Sequence, residues 1–206
     1  MLVIKYSKTY PASYAGHTDT LRTIGRIFRR AGANVEYSKG FNPHMELYFS
    51  PALPVGVDSH AEYLAVKMEM EENLLDRLNE FSPKGLTFTQ MWEKQVSVSA
   101  IVTSATYQVK CKGLSAYAYQ ILAENYAITY EEKGAEVTKV VRDKIYNLTI
   151  VDDDTFLVTI ACGNVNLRCD RLVNHLIKVN NLPVDYQIIK TETQTNGINF
   201  DTYLQD

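Results

Sequence analysis

Two apolar patterns, one alternating residue by residue and one recurring at helical spacing, follow each other in the same order in both halves of the chain. That order most constrains the fold. In the first half, strand-like "LVIKY" is followed by a helix in which Leu21, Ile24, Ile27, Phe28 and Ala31 form one stripe. The short strands "NVEYS" and "ELYFS" and the longer "AEYLAVKMEM" come next, then the helix "EENLLDRLNEF" and the strand "LTFTQMWEK". After a weakly patterned stretch at 94–104, the order recurs: strand "ATYQVKC", helix "SAYAYQILAENYA", strands in "VVRDKIYNLTIV" and "FLVTIAC", helix "CDRLVNHLIKVN" and strand "VDYQIIKTE".

A β-α-β-β-α-β order is that of the split βαβ unit, an antiparallel sheet with both helices on one face. The expectation is therefore an α+β protein of two tandem ferredoxin-like (split β-α-β) units with antiparallel sheets, residues 1–95 and 103–206. The pattern is compatible with two separate sheets and with one continuous sheet. Turn chemistry supports the boundaries: Thr18 and Asp19 suit a helix start, Gly32 a left-handed helix end, "VDDDT" a hairpin turn, and Pro183 the end of the last periodic helix.

The first helix carries a second message. Arg22, Arg26, Arg29 and Arg30 fall opposite its apolar stripe, and no acidic residue lies between Arg22 and Arg30 to pair with them along the helix. The whole chain has a net charge of −3, but residues 1–70 hold 8 Lys and Arg against 6 Asp and Glu. An anionic partner is expected on the first third. Next to this helix, "YSKGFNPH" (37–44) puts aromatic Tyr37 and Phe41 beside Ser38, Asn42 and His44. Gly40, Asn42 and Pro43 answer to turn geometry, and Phe41 reads either as a buried anchor or as an exposed stacking surface. Turn geometry does not require His44.

His17, Asp19 and His44 are the candidate catalytic residues, as proton donor or acceptor and orienting carboxylate, if the two loops meet. Ser59 and His60 are adjacent on a strand, point to opposite faces and cannot act as a pair. His175, among Leu172, Val173, Leu176 and Ile177, reads as structural. Cys111, Cys162 and Cys169 are isolated and expected to be buried thiols. No ligand spacing for a metal is present, and no stretch reaches the roughly 18–20 apolar residues of a membrane span. A cytoplasmic protein that binds no cofactor itself is expected.

Three ordered motifs, His17-x-Asp19 before a helix ending R-R-A-G, then Y-S-x-G-F-N-P-H, then P-x-L-P-x-G-x-x-S-x-x-E-Y, resemble those of the radical SAM-linked family of bacterial proteins. The close resemblance covers about the first 95 residues; beyond them only the element order is similar. Family members carry serine and leucine around the first histidine, where this chain has Gly16 and Thr18. The resemblance implies a radical SAM protein as partner, encoded beside or fused to such a chain, and assigns no established activity. This chain lacks the three close cysteines of the radical cluster. The leading expectation is an accessory protein that binds or presents RNA or another anionic substrate. The alternatives are a metal-independent RNA-processing or RNA-modifying enzyme using His17 and His44, and a protein-interaction module without nucleic-acid binding.

Overall fold

In the first half, β1 (Leu2–Lys8) runs between two antiparallel neighbours, β3 (Asp58–Val66) and β4 (Leu86–Glu93), and the short β2 (Leu47–Phe49) pairs with β3. The computed structural model describes residues 1–206. Alternation along β1 sends Leu2, Ile4 and Tyr6 to one face, where they meet Ile24, Ile27 and Phe28 of α1 (His17–Arg30) and Leu74 and Leu78 of α2 (Leu74–Glu80). Val3, Ala61, Tyr63 and Ala65 point the other way and are buried too. The expected sheet with one covered face is thus covered on both sides in this half. The cause is visible in β3, whose "AEYLAV" has no polar alternation beyond Glu62.

Helix α1 ends where Gly32 takes φ +63°. Its N–H reaches the Arg29 carbonyl at 3.2 Å, and the Ala33 N–H reaches that of Phe28 at 3.1 Å, a Schellman closure. Its start differs from expectation. Gly16 is the N-cap and no side chain caps the first turn; Thr20 Oγ1 instead donates back to the Gly16 carbonyl.

The second half contains β5 (Ser104–Cys111), β8 (Ile145–Ile150), β9 (Thr155–Ala161), α4 (Cys169–Val179) and β10 (Tyr186–Thr195), with spatial order β10-β5-β9-β8. Three readings are corrected here. The helix expected at "SAYAYQILAENYA" is a 3-10 segment, Leu114–Leu122, entered from Gly113 at φ +69° with no capping side chain. A separate hairpin, β6 (Ala127–Glu132) with β7 (Ala135–Val140), follows it, turning through Lys133 and Gly134, both at positive φ. "NVEYS" forms no strand, only a single bridge from Tyr37 to Met45. The stretch at 94–104 holds the short helix α3 (Val98–Ile101). The "VDDDT" turn forms as expected, with the Asp152 N–H on the Thr155 carbonyl at 3.1 Å.

The two halves share one sheet. Strand β10 lies parallel to β3 through Asp58↔Ile189 and Ser59↔Lys190, while β2 occupies the other end of the same β3 edge at Leu64 to Val66. With β11 (Ile198–Asn199) added on β10, nine strands form a mixed α/β, mostly antiparallel sheet. At the seam, Glu62 Oε1 accepts from Lys190 Nζ at 2.9 Å and from Ser59 Oγ at 2.8 Å, all three residues being buried. A register shift in β3 brings Ser59 and Glu62 to one side; β1 pairs Tyr6 with Glu62 and Lys8 with Ser59.

The chain then crosses back. Helix α5 (Phe200–Gln205) packs on the first half, with Phe200 edge-on to Tyr63 at 4.7 Å between ring centres. Asp201 accepts from the Tyr63 hydroxyl at 2.6 Å and from the Lys5 ammonium. Burial, and then this carboxylate, push the Tyr63 hydroxyl far above its usual pKa. No helix is long and apolar enough to cross a membrane.

Candidate anion-binding face and the Tyr37–His44 loop

The stripe that buries Ile24, Ile27, Phe28 and Ala31 leaves Arg22, Arg26, Arg29 and Arg30 exposed on the opposite side of α1. Arg22 lies 3.9 Å from Asp19, and with both side chains more than two-thirds exposed the pair is weak. Arg26, Arg29 and Arg30 make no ion pair, so three full charges stand free within about 100° of the helix surface.

The loop beside them is built from its base upward. Glu36, Glu46 and Lys67 are joined through their backbones, the Glu36 N–H on the Lys67 carbonyl at 2.8 Å and the Lys67 N–H on the Glu46 carbonyl at 3.2 Å. The Lys67 ammonium bridges both carboxylates, at 3.0 and 3.1 Å, and those bonds raise its pKa. Above this clamp the Ser38 N–H donates to the His44 carbonyl at 2.9 Å. The His44 N–H donates to Ser38 Oγ at 3.1 Å, and that oxygen lies 2.8 Å from His44 Nδ1. The serine hydroxyl thus holds both the amide and Nδ1 of His44, and Nε2 has no protein partner.

His44 therefore closes the loop through its serine. Phe41, at the tip, is wholly exposed, which overturns the buried-anchor reading, and Tyr37 is 46% exposed. Asn42 is also exposed, with no hydrogen bond.

The sequence candidates do not gather at one point. Strand β2 runs beside α1, with the His17 ring edge-on to Phe49 at 6.5 Å and Leu47 Cδ1 4.0 Å from where a Gly25 Cβ would lie. Tracing from Phe49 back through Leu47 to the loop moves toward the C-terminal end of α1, where Arg29 and Arg30 stand. His17 and Asp19 lie at its N-terminal end. Asp19 makes no hydrogen bond to His17, and the two imidazoles have different partners. Tyr48 alternates away from α1, toward Met1, Gln95 and Ser97.

The third motif has a different task. Its Ser59 and Glu62 form the buried seam bond, and His60, as expected from alternation, is exposed. Sequence reasoning missed Lys67 as the loop's clamp, although its position outside the apolar alternation of "AEYLAVKMEM" was a usable signal. His175 accepts the Thr129 N–H at Nδ1 at 3.0 Å, tying β6 to α4. Burial lowers its pKa. The three cysteines are buried and free, and burial pushes the Cys169 thiol well up.

A family model described as an uncharacterised protein conserved in bacteria, DUF2344, matches residues 1–169. The chain belongs to this family. The DUF2344 match runs well past residue 95 and takes in the second half through β9 to the start of α4. It therefore reaches beyond the region of motif resemblance. No curated protein matches the sequence. Among solved structures, this DUF2344 chain is similar to a chain in the crystal structure of a Cbf5-Nop10-Gar1 complex, with 12% identity and a TM-score of 0.48 over 93% of its length. It spans 48% of that chain.

Proposed function

We propose that this DUF2344 protein is a noncatalytic accessory subunit that binds RNA through the arginine face of α1 and the Tyr37–His44 loop, and presents it to a radical SAM enzyme. The observation that carries the reading is the set of three unpaired, exposed guanidinium groups of Arg26, Arg29 and Arg30 on the helix flanked by that loop. Guanidinium groups neutralise phosphates, and a rigidly held loop with an exposed phenylalanine gives bases a surface to stack on. The partner is inferred from the motif resemblance. The strand orders β4-β1-β3-β2 and β10-β5-β9-β8 support reading the halves as two ferredoxin-like units, the second modified by its 3-10 segment and inserted hairpin.

An acid–base enzyme is the weaker reading, because His17 and His44 are engaged at different ends of α1. The test combines copurification with a coexpressed radical SAM protein and binding of single-stranded RNA at several salt concentrations. The Arg26→Glu, Arg29→Glu, Arg30→Glu variant is expected to lose RNA affinity and to flatten the salt dependence, by about 0.7 in log–log slope per phosphate contact removed. Unchanged binding of both RNA and partner removes this face from the proposal. Salt-insensitive binding to protein alone supports an interaction module instead.

A further inference from the structure

A cleft of about 240 Å3 lies between the β1–α1 connection, the side of α1 away from β2, and the entry into β4. Pro11 and Leu86 give it apolar walls, Thr20 and Thr23 contribute hydroxyls, and Lys8 and Lys84 contribute ammonium groups. One side is fixed by a close backbone approach. Gly85, between Lys84 and Leu86, has φ +88°, and a Cβ there would sit 2.3 Å from the Thr9 carbonyl oxygen. The Thr9 N–H donates to the Gly85 carbonyl at 2.7 Å, so the two walls are bound together.

The electrostatics of the cleft are out of balance. Lys8 is 3% exposed, and of its three N–H donors one is used, on the Ala15 carbonyl at 2.7 Å. Glu62 is the carboxylate that acts on it, but Glu62 is hydrogen-bonded to Lys190 and Ser59. The buried charged residues are two lysines, Lys8 and Lys190, and one glutamate, Glu62, and of the two ammonium groups only that of Lys190 forms an ion pair with it. Buried charges are normally matched one for one, because desolvation is otherwise uncompensated. Burial lowers the Lys8 pKa despite the pull of Glu62, as expected for a cation short of partners. Lys84 is exposed and forms no ion pair, and the Thr23 hydroxyl has no protein partner.

We propose that this cleft binds a small molecule carrying a phosphate or carboxylate on an apolar body. The anionic oxygens take the spare hydrogens of Lys8, with Lys84 at the rim and the Thr23 hydroxyl as further donors, and the body lies on Pro11 and Leu86. The site is separate from the arginine face, and its occupancy does not depend on RNA.

The experiment titrates the 15N-labelled full chain with phenyl phosphate in one arm and benzoate in the other, following amide shifts. Saturable shifts centred on Ala12, Ala15, Thr23 and Lys84 are expected in at least one arm, and the responding arm identifies the anion. Lys84→Glu, at an exposed position that preserves the fold, is expected to weaken that probe by roughly tenfold or more. The triple arginine variant is expected to bind it as the wild type does. Absence of saturable shifts in both arms overturns the proposal. So does undiminished binding to Lys84→Glu, or loss of binding in the triple arginine variant.

Discussion

Removing Glu62 should cost more stability than removing Lys190, although the two are partners in the same 2.9 Å bond. Both side chains are buried, at 3% and 1% relative exposure, so deleting either leaves an interior charge without its main partner. Such a deletion typically costs about 3–5 kcal/mol. The two deletions differ in what remains. Lys190→Met leaves the Glu62 carboxylate with the Ser59 hydroxyl at 2.8 Å and with the positive field of Lys8. Glu62→Gln leaves Lys8 and Lys190 as two buried cations in an interior with no buried carboxylate. The first should fall near the lower end of that range and the second near the upper end. An unfolding entropy of about 2.1 cal/mol/K per residue gives roughly 430 cal/mol/K for a chain of this length, so the expected losses in Tm are about 7 °C and about 12 °C. Calorimetry at pH 7, paired with urea titration, reads both. Equal losses, or a larger loss for Lys190→Met, would refute the idea that Lys8 is a second cation drawing on the same carboxylate.

Gly85→Ala should destabilise by about 2–4 kcal/mol, because the new methyl group meets the Thr9 carbonyl oxygen at a backbone angle that suits glycine; a thermal melt within 1 °C of wild type would contradict the close approach. Phe41→Ser should leave Tm unchanged within about 1 °C, since surface changes stay within roughly 0.5 kcal/mol, while RNA affinity falls by about five- to a hundredfold through lost stacking. Fluorescence anisotropy beside the melt separates the two effects. The His175 pKa is lowered by burial, with Lys178 adding in the same direction, so the folded state favours the neutral ring. This docking contribution is complete above about pH 6.5 and is lost as pH falls through the lower folded value. The Thr129 amide resonance, followed from pH 7.5 to pH 5, should shift as that bond to the ring opens, and a flat titration would exclude it.

Much of the architecture was legible because it rests on local periodicity. The α1 stripe, its arginine face and Gly32 follow from 3.6-residue spacing and one left-handed position, and all are present in the structure. The 3-10 segment was not legible: Leu114, Ala118 and Ile121 are buried at spacings that suit an α-helix as well. The β6–β7 hairpin was available in principle, since Lys133-Gly134 separates two runs rich in β-branched and aromatic residues. Placement of the candidate site was the least accessible part. That β2 would align His17 with Phe49, and so send His44 toward the far end of α1, depends on pairing across the sheet. The partnership of Glu62 with Lys190 spans 128 positions. Glu62 stood out as a charge within the apolar run "AEYLAV", but Lys190, in the polar "IKTETQT", carried no such signal.

The seam also sets an order of events during synthesis. Everything needed for β1, β2, β3 and β4 has been made by Glu93, yet the Asp58 end of the β3 edge stays open until Ile189 and Lys190 arrive, nearly a hundred residues later. The underside of Tyr63 waits longer still, for Phe200 and Asp201. A nascent chain on the ribosome thus carries an unpaired strand edge and a buried-type tyrosine in contact with water through most of its elongation. The residues that finally cover them lie beyond position 169, outside the family match. The least recognisable part of this chain is the part that lets the first half finish folding.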